Sequence, residues 1–129
     1  MENNPISKEA FLFIVENTRS FYETLGAEFI MRYTESELDE VYNCMERVYT
    51  SGYYEEPHEK YANVMYNISK GHFLSNGNKR IALMITAAYI LYETDILPEW
   101  NHLKDLVLAV TQDKVSKEQL CIELKRYCK

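Results

Sequence analysis

The sequence contains few of the residues that cross-link or interrupt a chain: three cysteines, four glycines and three prolines in 129 residues. The cysteines, Cys44, Cys121 and Cys128, are scattered and form no CxxC pair. This pattern indicates ordinary reduced thiols rather than a disulfide framework or a zinc site. No internal repeat or low-complexity segment is present. A chain of successive helices, without covalent cross-links, is therefore expected.

The sequence also lacks a long apolar run and an excess of positive charge. Its longest nearly apolar stretch, residues 81–92, is too short to span a bilayer, and residues 1–5 lack the basic and then apolar pattern of a secretion signal. The net charge of −6 is opposite in sign to the basic footprint of general nucleic-acid binding. We therefore expect a cytoplasmic protein with neither a membrane nor a nucleic acid as a direct partner.

Hydrophobic residues make up 47% of the chain, enough for the core of one domain over residues 1–129. Their spacing predicts helices and no alternating strand pattern. Residues 81–92 are apolar nearly all round, which predicts a helix buried at the centre. Six other helices are predicted. The first follows Ser7, with Phe21 facing the core, and the second covers residues 29–33. The third follows the capping box of Thr34 and Glu37, the fourth runs over 59–70, the fifth starts at Pro98, and the sixth follows the capping box of Ser116 and Gln119. The predicted fold is a compact all-α bundle around a buried central helix.

Residues 72–80, with the sequence HFLSNGNKR, form the most informative segment. Their Asn-Gly pair is a strong turn signal, and the buried helix is predicted to begin at about Asn78. A helix N-terminus presents unpaired N–H groups and a partial positive charge, which attract anions. Lys79 and Arg80 would each oppose that dipole by roughly 0.3–1 kcal/mol. A bound phosphate would resolve this conflict, because N–H groups and cations would then face the same anion.

His72 precedes this predicted anion site by a few residues. Histidine is the side chain most readily poised near neutral pH to accept a proton from a hydroxyl. A base beside a phosphate site is the minimum equipment for transferring a phosphorus group from a nucleotide to an alcohol. Each feature alone has a simpler interpretation: a structural histidine, a turn with an N-cap, or solvated cations. The hypothesis depends on their coincidence within one short segment.

Residues 72–80 resemble the signature of the Fic/Doc (Fido) family, H-P-F-x-[DE]-G-N-[GK]-R, and their ending is similar to that of the Doc (death-on-curing) branch. The resemblance implies a small all-α Fic/Doc scaffold over most of the chain, with ATP and Mg²⁺ as cofactors. It implies that His72 is the catalytic base. It also implies that Asn76, Gly77 and Asn78 belong to the phosphate-binding loop, in which Gly77 and Asn78 shape the anion site. Arg80 would contact nucleotide phosphates, with Lys79 as the Doc-type addition.

The function that this resemblance implies is a Doc-like toxin of a toxin–antitoxin pair. Such a toxin transfers the γ-phosphate of ATP to a hydroxyl of a target protein, elongation factor Tu in the Doc case. Two alternatives stay open: a Fic-type adenylyltransferase that transfers AMP, and a catalytically weakened domain used as a binding or regulatory module. The family's self-inhibitory signature is incomplete at residues 36–40, because Val41 stands where glycine or asparagine is required. A separate small antitoxin protein is therefore the expected partner.

Two departures from the family pattern matter most. Leu74 replaces an aromatic side chain that anchors the loop in the core. Asn76 stands where an acidic residue normally helps to hold Mg²⁺, and a hard divalent cation prefers carboxylates to a neutral amide oxygen. We therefore expect only weak metal binding through Asn76. The family also places a target-docking segment ahead of the motif, and the loop with Tyr53, Tyr54 and His58 is its predicted counterpart.

Overall fold

The computed structural model describes residues 3–26, 28 and 30–128, and this part of the chain contains six α-helices. They are α1 (Lys8–Glu23), α2 (Glu35–Thr50), α3 (Pro57–Lys70), α4 (Asn78–Thr94), α5 (Trp100–Thr111) and α6 (Lys117–Leu124). A 3₁₀ turn over Lys125–Tyr127 follows α6. The prediction of a compact all-α fold is confirmed. Among the described residues, no helix is both long enough and apolar enough to cross a membrane.

Side-chain caps set the start of several helices, and both predicted capping boxes are present. Thr34 accepts a hydrogen bond from the backbone N–H of Glu37, and the Glu37 carboxylate accepts one from the N–H of Thr34. Ser116 and Gln119 do the same at the start of α6. Such reciprocal bonds satisfy backbone donors that the helix itself cannot use. Pro57 occupies the first turn of α3, where its missing N–H costs nothing.

The helices α3 and α4 together form the centre of the fold. The first packs against α2, α4, α5 and α6, and the second packs against α1, α3 and α5. Ile81, Ile85 and Ile90 are fully buried, as expected for a central helix. Leu91 and Tyr92, predicted to be buried with them, are exposed. Both residues line an open cavity of about 330 Å³ between α1, α4 and α5, so the neighbouring helices do not cover this end of α4.

Two local predictions were wrong. The segment predicted as a short helix over residues 29–33 is extended over 30–33, while Phe29 lies outside the described residues. Arg32 pairs with Asn76 in an antiparallel bridge, and such backbone bonds outweigh the weak helical preference of so short a segment. Phe21, predicted to face the core, is 57% exposed. Only Phe11, Val15 and Thr18 of α1 are buried among the described residues.

Candidate phosphate-binding site

A cavity of about 550 Å³ lies at the N-terminal end of α4, and residues 72–80 form much of its wall. The residues that line it are Ser69, Lys70, His72, Ser75, Asn76, Gly77, Asn78, Lys79, Arg80, Thr111 and Asp113. The structure therefore brings all six residues predicted to carry catalysis and phosphate binding to one place. It adds residues from the ends of α3 and α5, which the motif itself does not contain.

The loop between α3 and α4 is closed by a reciprocal pair of hydrogen bonds between Leu74 and Asn78. The backbone N–H of Leu74 donates to Asn78 Oδ1 at 2.9 Å, and Asn78 Nδ2 donates to the carbonyl of Leu74 at 2.9 Å. The Leu74 side chain is 4% exposed, so it anchors the loop in the core as the replaced aromatic would. Asn78 thus shapes the cavity by holding the loop backbone.

Gly77 lets the chain enter α4 at a position that other residues would strain. Its φ is +109°, in the region that favours glycine. A Cβ atom here would lie 2.9 Å from Cγ of Met31, and Met31 is itself buried. No side chain in the described part of the chain caps the N-terminus of α4. The first N–H groups of α4 therefore remain available to an anion.

Asn76 is held by the extended segment that precedes α2. Its backbone exchanges two hydrogen bonds with Arg32, at 2.9 and 3.2 Å. Its side-chain Nδ2 donates to the carbonyl of Ile30 at 2.8 Å. The amide nitrogen is therefore committed to the protein, while Oδ1 is the atom that can serve a ligand. A carboxylate at this position could not donate to Ile30, and its charge would face that carbonyl oxygen instead.

His72 is exposed and has a φ of +52°, which is uncommon for a residue other than glycine. It directly follows Gly71, where a Cβ atom would collide with the ring of Phe73 and the backbone oxygen of Asn67. The chain thus turns sharply between the end of α3 and the motif. This turn places His72 on the wall of the cavity, where solvent can reach it.

Two cations stand at the positive end of α4, as predicted. Lys79 is exposed and Arg80 is half-buried. The guanidinium carbon of Arg80 lies 4.8 Å from the ring centroid of Tyr22 in α1, a cation–π contact that orients the planar group. The first turn of α4 contains no acidic residue that could offset the positive end of the helix dipole or the charges of these two cations. An oxyanion in the cavity would therefore meet N–H groups and two positive charges together.

The sequence model of the Fic/DOC family matches residues 14–90, more than half of the chain. The chain belongs to the Fic/DOC family. Domains of this family usually transfer nucleotide or phosphate groups to proteins. No curated protein and no solved structure matches the chain. The match runs from the middle of α1 through most of α4, and it includes the whole of the motif.

Sequence reasoning assigned no role to Ser75 of the motif, and it missed the four residues of this Fic/DOC cavity that lie outside the motif: Ser69, Lys70, Thr111 and Asp113. Lys70, in the last turn of α3, forms an ion pair with Asp113, which follows α5. Asp113 raises the pKa of Lys70, chiefly through the hydrogen bond between them. The two residues are 43 positions apart, and only the packing of α5 against α3 brings them together. No sequence motif marked either residue.

The predicted target-docking residues lie apart from the Fic/DOC motif cavity. Tyr53 and Tyr54 contact each other edge-on, with ring centroids 5.0 Å apart. They line a second cavity, of about 620 Å³, whose wall also includes Phe73 of the motif. His58 stands in the first turn of α3. None of these three described residues lines the cavity of His72. The extended segment 30–33, in contrast, contacts the motif directly, because Arg32 pairs with Asn76.

Proposed function

We propose that this Fic/DOC protein transfers the γ-phosphoryl group of ATP to a hydroxyl of a target protein, as a toxin of the Doc type. The observation that carries the proposal is the single cavity that joins His72 to the uncapped N-terminus of α4 with Lys79 and Arg80. A base and an anion site in one cavity are what phosphoryl transfer requires of a protein.

In the proposed reaction, the target hydroxyl loses its proton to His72 as its oxygen attacks the γ-phosphorus. A new oxygen–phosphorus bond forms, the bond from the γ-phosphorus to the bridging oxygen breaks, and ADP leaves with the electron pair. The N–H groups of α4 and the guanidinium of Arg80 would hold the phosphate oxygens in place. Lys79 adds a compact positive charge, and its side chain occupies space that glycine leaves open in the Fic branch. For this reason we favour γ-phosphoryl over AMP transfer.

The cavity fits a divalent cation that arrives with nucleotide phosphates better than one bound by the protein alone. Among the described residues, no group of three or more His, Cys, Asp or Glu side chains is placed to hold a metal ion. The residues that line the cavity include Asn76, which has an amide oxygen, and Asp113, which has a carboxylate. Mg²⁺ commonly takes one or two protein oxygens and completes its shell with phosphates and water. When bound, it would neutralise part of the phosphate charge.

The target protein would approach along the extended segment 30–33 in this proposal, since that segment borders the motif at Asn76. Extended backbone beside a reactive site can pair with an extended target segment. The Tyr53–Tyr54 cavity reaches the motif through Phe73 and would contact a more distant part of the target. A translation factor remains the target class that the Doc-like ending of the motif favours.

The reaction can be tested with ATP labelled separately at the α- and γ-phosphates, incubated with the protein and a bacterial lysate. We expect the γ-label, and not the α-label, to reach one protein band. Transfer of the α-label would instead identify an adenylyltransferase. Binding of ATP without transfer of either label would favour the regulatory-module alternative, which the neutral Asn76 supports.

An exposed apolar area lies beside the site, and we propose that a separate controlling protein binds there. This area runs between α1, α4 and α5, and we call it the apolar surface. Its exposed side chains are Phe21, Leu25, Leu91, Tyr92, Leu97 and Trp100. Trp100 lines three adjoining cavities along it. At one end these cavities reach Lys79, Arg80 and Lys104. This pattern suits an amphipathic helix with acidic residues at one end, the form in which a small antitoxin could bind.

Trp100→Glu is expected to separate toxicity from its control. On this proposal, overproduction of the parent protein should arrest growth, and coproduction of its cognate small antitoxin should relieve the arrest. The Trp100→Glu variant should still arrest growth but escape that relief, because loss of a tryptophan at the centre of an interface costs about 2 kcal/mol when it is a hot spot, which corresponds to about 30-fold in affinity. Growth curves with and without the antitoxin measure the effect.

Ile122→Glu is the matched control, because Ile122 is a 71% exposed apolar residue on α6, outside this surface. It should leave both arrest and relief unchanged. Relief of Trp100→Glu to the parent level would rule out the apolar surface as the binding site, and harmless overproduction of the parent would count against a toxin.

A further inference from the structure

Asp113 occupies a backbone position that glycine would usually fill. It follows the C-terminal end of α5 with a φ of +57°, the left-handed conformation typical of the residue after a helix. Its N–H donates to the carbonyl of Val110, and the N–H of Lys114 donates to Ala109 at 2.8 Å. These bonds fix the turn. The turn thereby places Asp113 on the wall of the phosphate cavity.

A carboxylate in a phosphate cavity requires an explanation, because it repels the anion that the rest of the cavity attracts. Of the described residues that line the cavity, Asp113 alone carries a carboxylate. Its partner is Lys70, whose ammonium forms the ion pair across the cavity rim. The side chain of Asp113 is 77% exposed, so a ligand can reach it.

Asn76 cannot supply the negative charge that a divalent cation prefers. Its amide is neutral, and its Nδ2 is committed to the carbonyl of Ile30. A second polar group, next to Lys70, lacks a hydrogen-bond partner. The hydroxyl of Ser69 is buried in a residue only 5% exposed, and it has no hydrogen-bond partner in the described part of the chain. Most buried polar groups are hydrogen-bonded to protein or to an ordered water, and Ser69 lines the same cavity as Asp113.

We propose that Asp113, in place of the motif residue Asn76, is the protein carboxylate for a divalent cation that enters with the nucleotide. In the ligand-free protein, Lys70 neutralises Asp113. On binding, Lys70 would turn to a phosphate oxygen and Asp113 to the cation, so each charge exchanges one opposite partner for another. The inference rests on the proposed function only in requiring a nucleotide, not in requiring transfer.

The test is a calorimetric titration with the β,γ-imido analogue of ATP, once with Mg²⁺ and once with EDTA. Asp113→Asn removes the charge but keeps a residue that tolerates the left-handed conformation. With Mg²⁺ we expect it to weaken binding by about tenfold, within the range that loss of a metal-supporting group causes. With EDTA we expect it to bind equally well or more tightly than the parent, because a repulsive charge is gone.

Three further variants sharpen the comparison. Asp105→Asn changes the same charge on the exposed face of α5 and should match the parent in both titrations. Lys70→Met should weaken binding with and without Mg²⁺, since it removes a phosphate partner. Asn76→Asp, combined with Asp113→Asn, should restore part of the Mg²⁺ dependence by returning a carboxylate to the cavity. Thermal unfolding of each variant checks that it is folded.

The outcomes separate this inference from the proposed function. An Asp113→Asn variant that matches the parent with Mg²⁺, or weakens equally with Mg²⁺ and with EDTA, would overturn the role of Asp113 while leaving nucleotide binding intact. Mg²⁺-independent binding by the parent would overturn it too. If the parent binds no nucleotide at all, both the inference and the proposed function fail.

Discussion

Replacing His72 with asparagine is expected to lower the rate of group transfer by at least about 10²-fold, the usual contribution of a positioned general base. Asparagine cannot take the proton from the target hydroxyl, but it tolerates the left-handed backbone at this position. Alanine would remove the base and also strain the turn. Nucleotide affinity, measured by calorimetry, should change little in the asparagine variant, because the N–H groups of α4 and the two cations remain in place.

His58→Asn is the matched control for this result. His58 stands in the first turn of α3 and is absent from the wall of the motif cavity. Its replacement should leave the transfer rate at saturating target unchanged, although an increase in KM for the target would reveal a docking role for that loop. Unimpaired transfer by His72→Asn, with the protein folded, would contradict the assignment of His72 as the base.

The parts of the structure that the sequence predicts are those set by neighbouring residues. A capping box needs only four consecutive positions, so the pairs that begin α2 and α6 are readable from the sequence. The same holds for the motif, since an Asn-Gly turn followed by a buried helix defines the N-terminus of α4. Even the exchange of an aromatic for Leu74 is understood locally, because either side chain fills the same apolar space.

The parts that the sequence does not predict depend on residues far apart in the chain. Lys70 and Asp113 meet only because α3 and α5 pack together. Residues 30–33 are extended because Asn76, more than forty positions later, supplies the hydrogen-bond partners. Phe21 has the spacing of a core residue, but α1 covers the core with one narrow face, and no described helix covers Phe21.

Gly77→Ala is expected to destabilise the protein by about 2–4 kcal/mol, from left-handed strain of about 1–2 kcal/mol and overpacking of a similar size. The strain arises because φ is +109°, and the overpacking arises because the new Cβ would lie 2.9 Å from Cγ of Met31. The same shift would move the first N–H groups of α4, so nucleotide affinity should fall as well. Urea unfolding and calorimetry measure the two effects separately.

Gly52→Ala separates strain from packing, because Gly52 also has a positive φ, +74°, but nothing lies within 4 Å of the added Cβ. It should cost only about 1–2 kcal/mol and leave nucleotide binding unchanged. Met31→Ala should lower the free energy of unfolding less in the Gly77→Ala variant than in the parent protein, because it removes the side chain that the new methyl group would strike. Equal losses for the two glycine variants would mean that Met31 can move away. In that case the close contact of Gly77 with the segment before α2 would not shape the anion site.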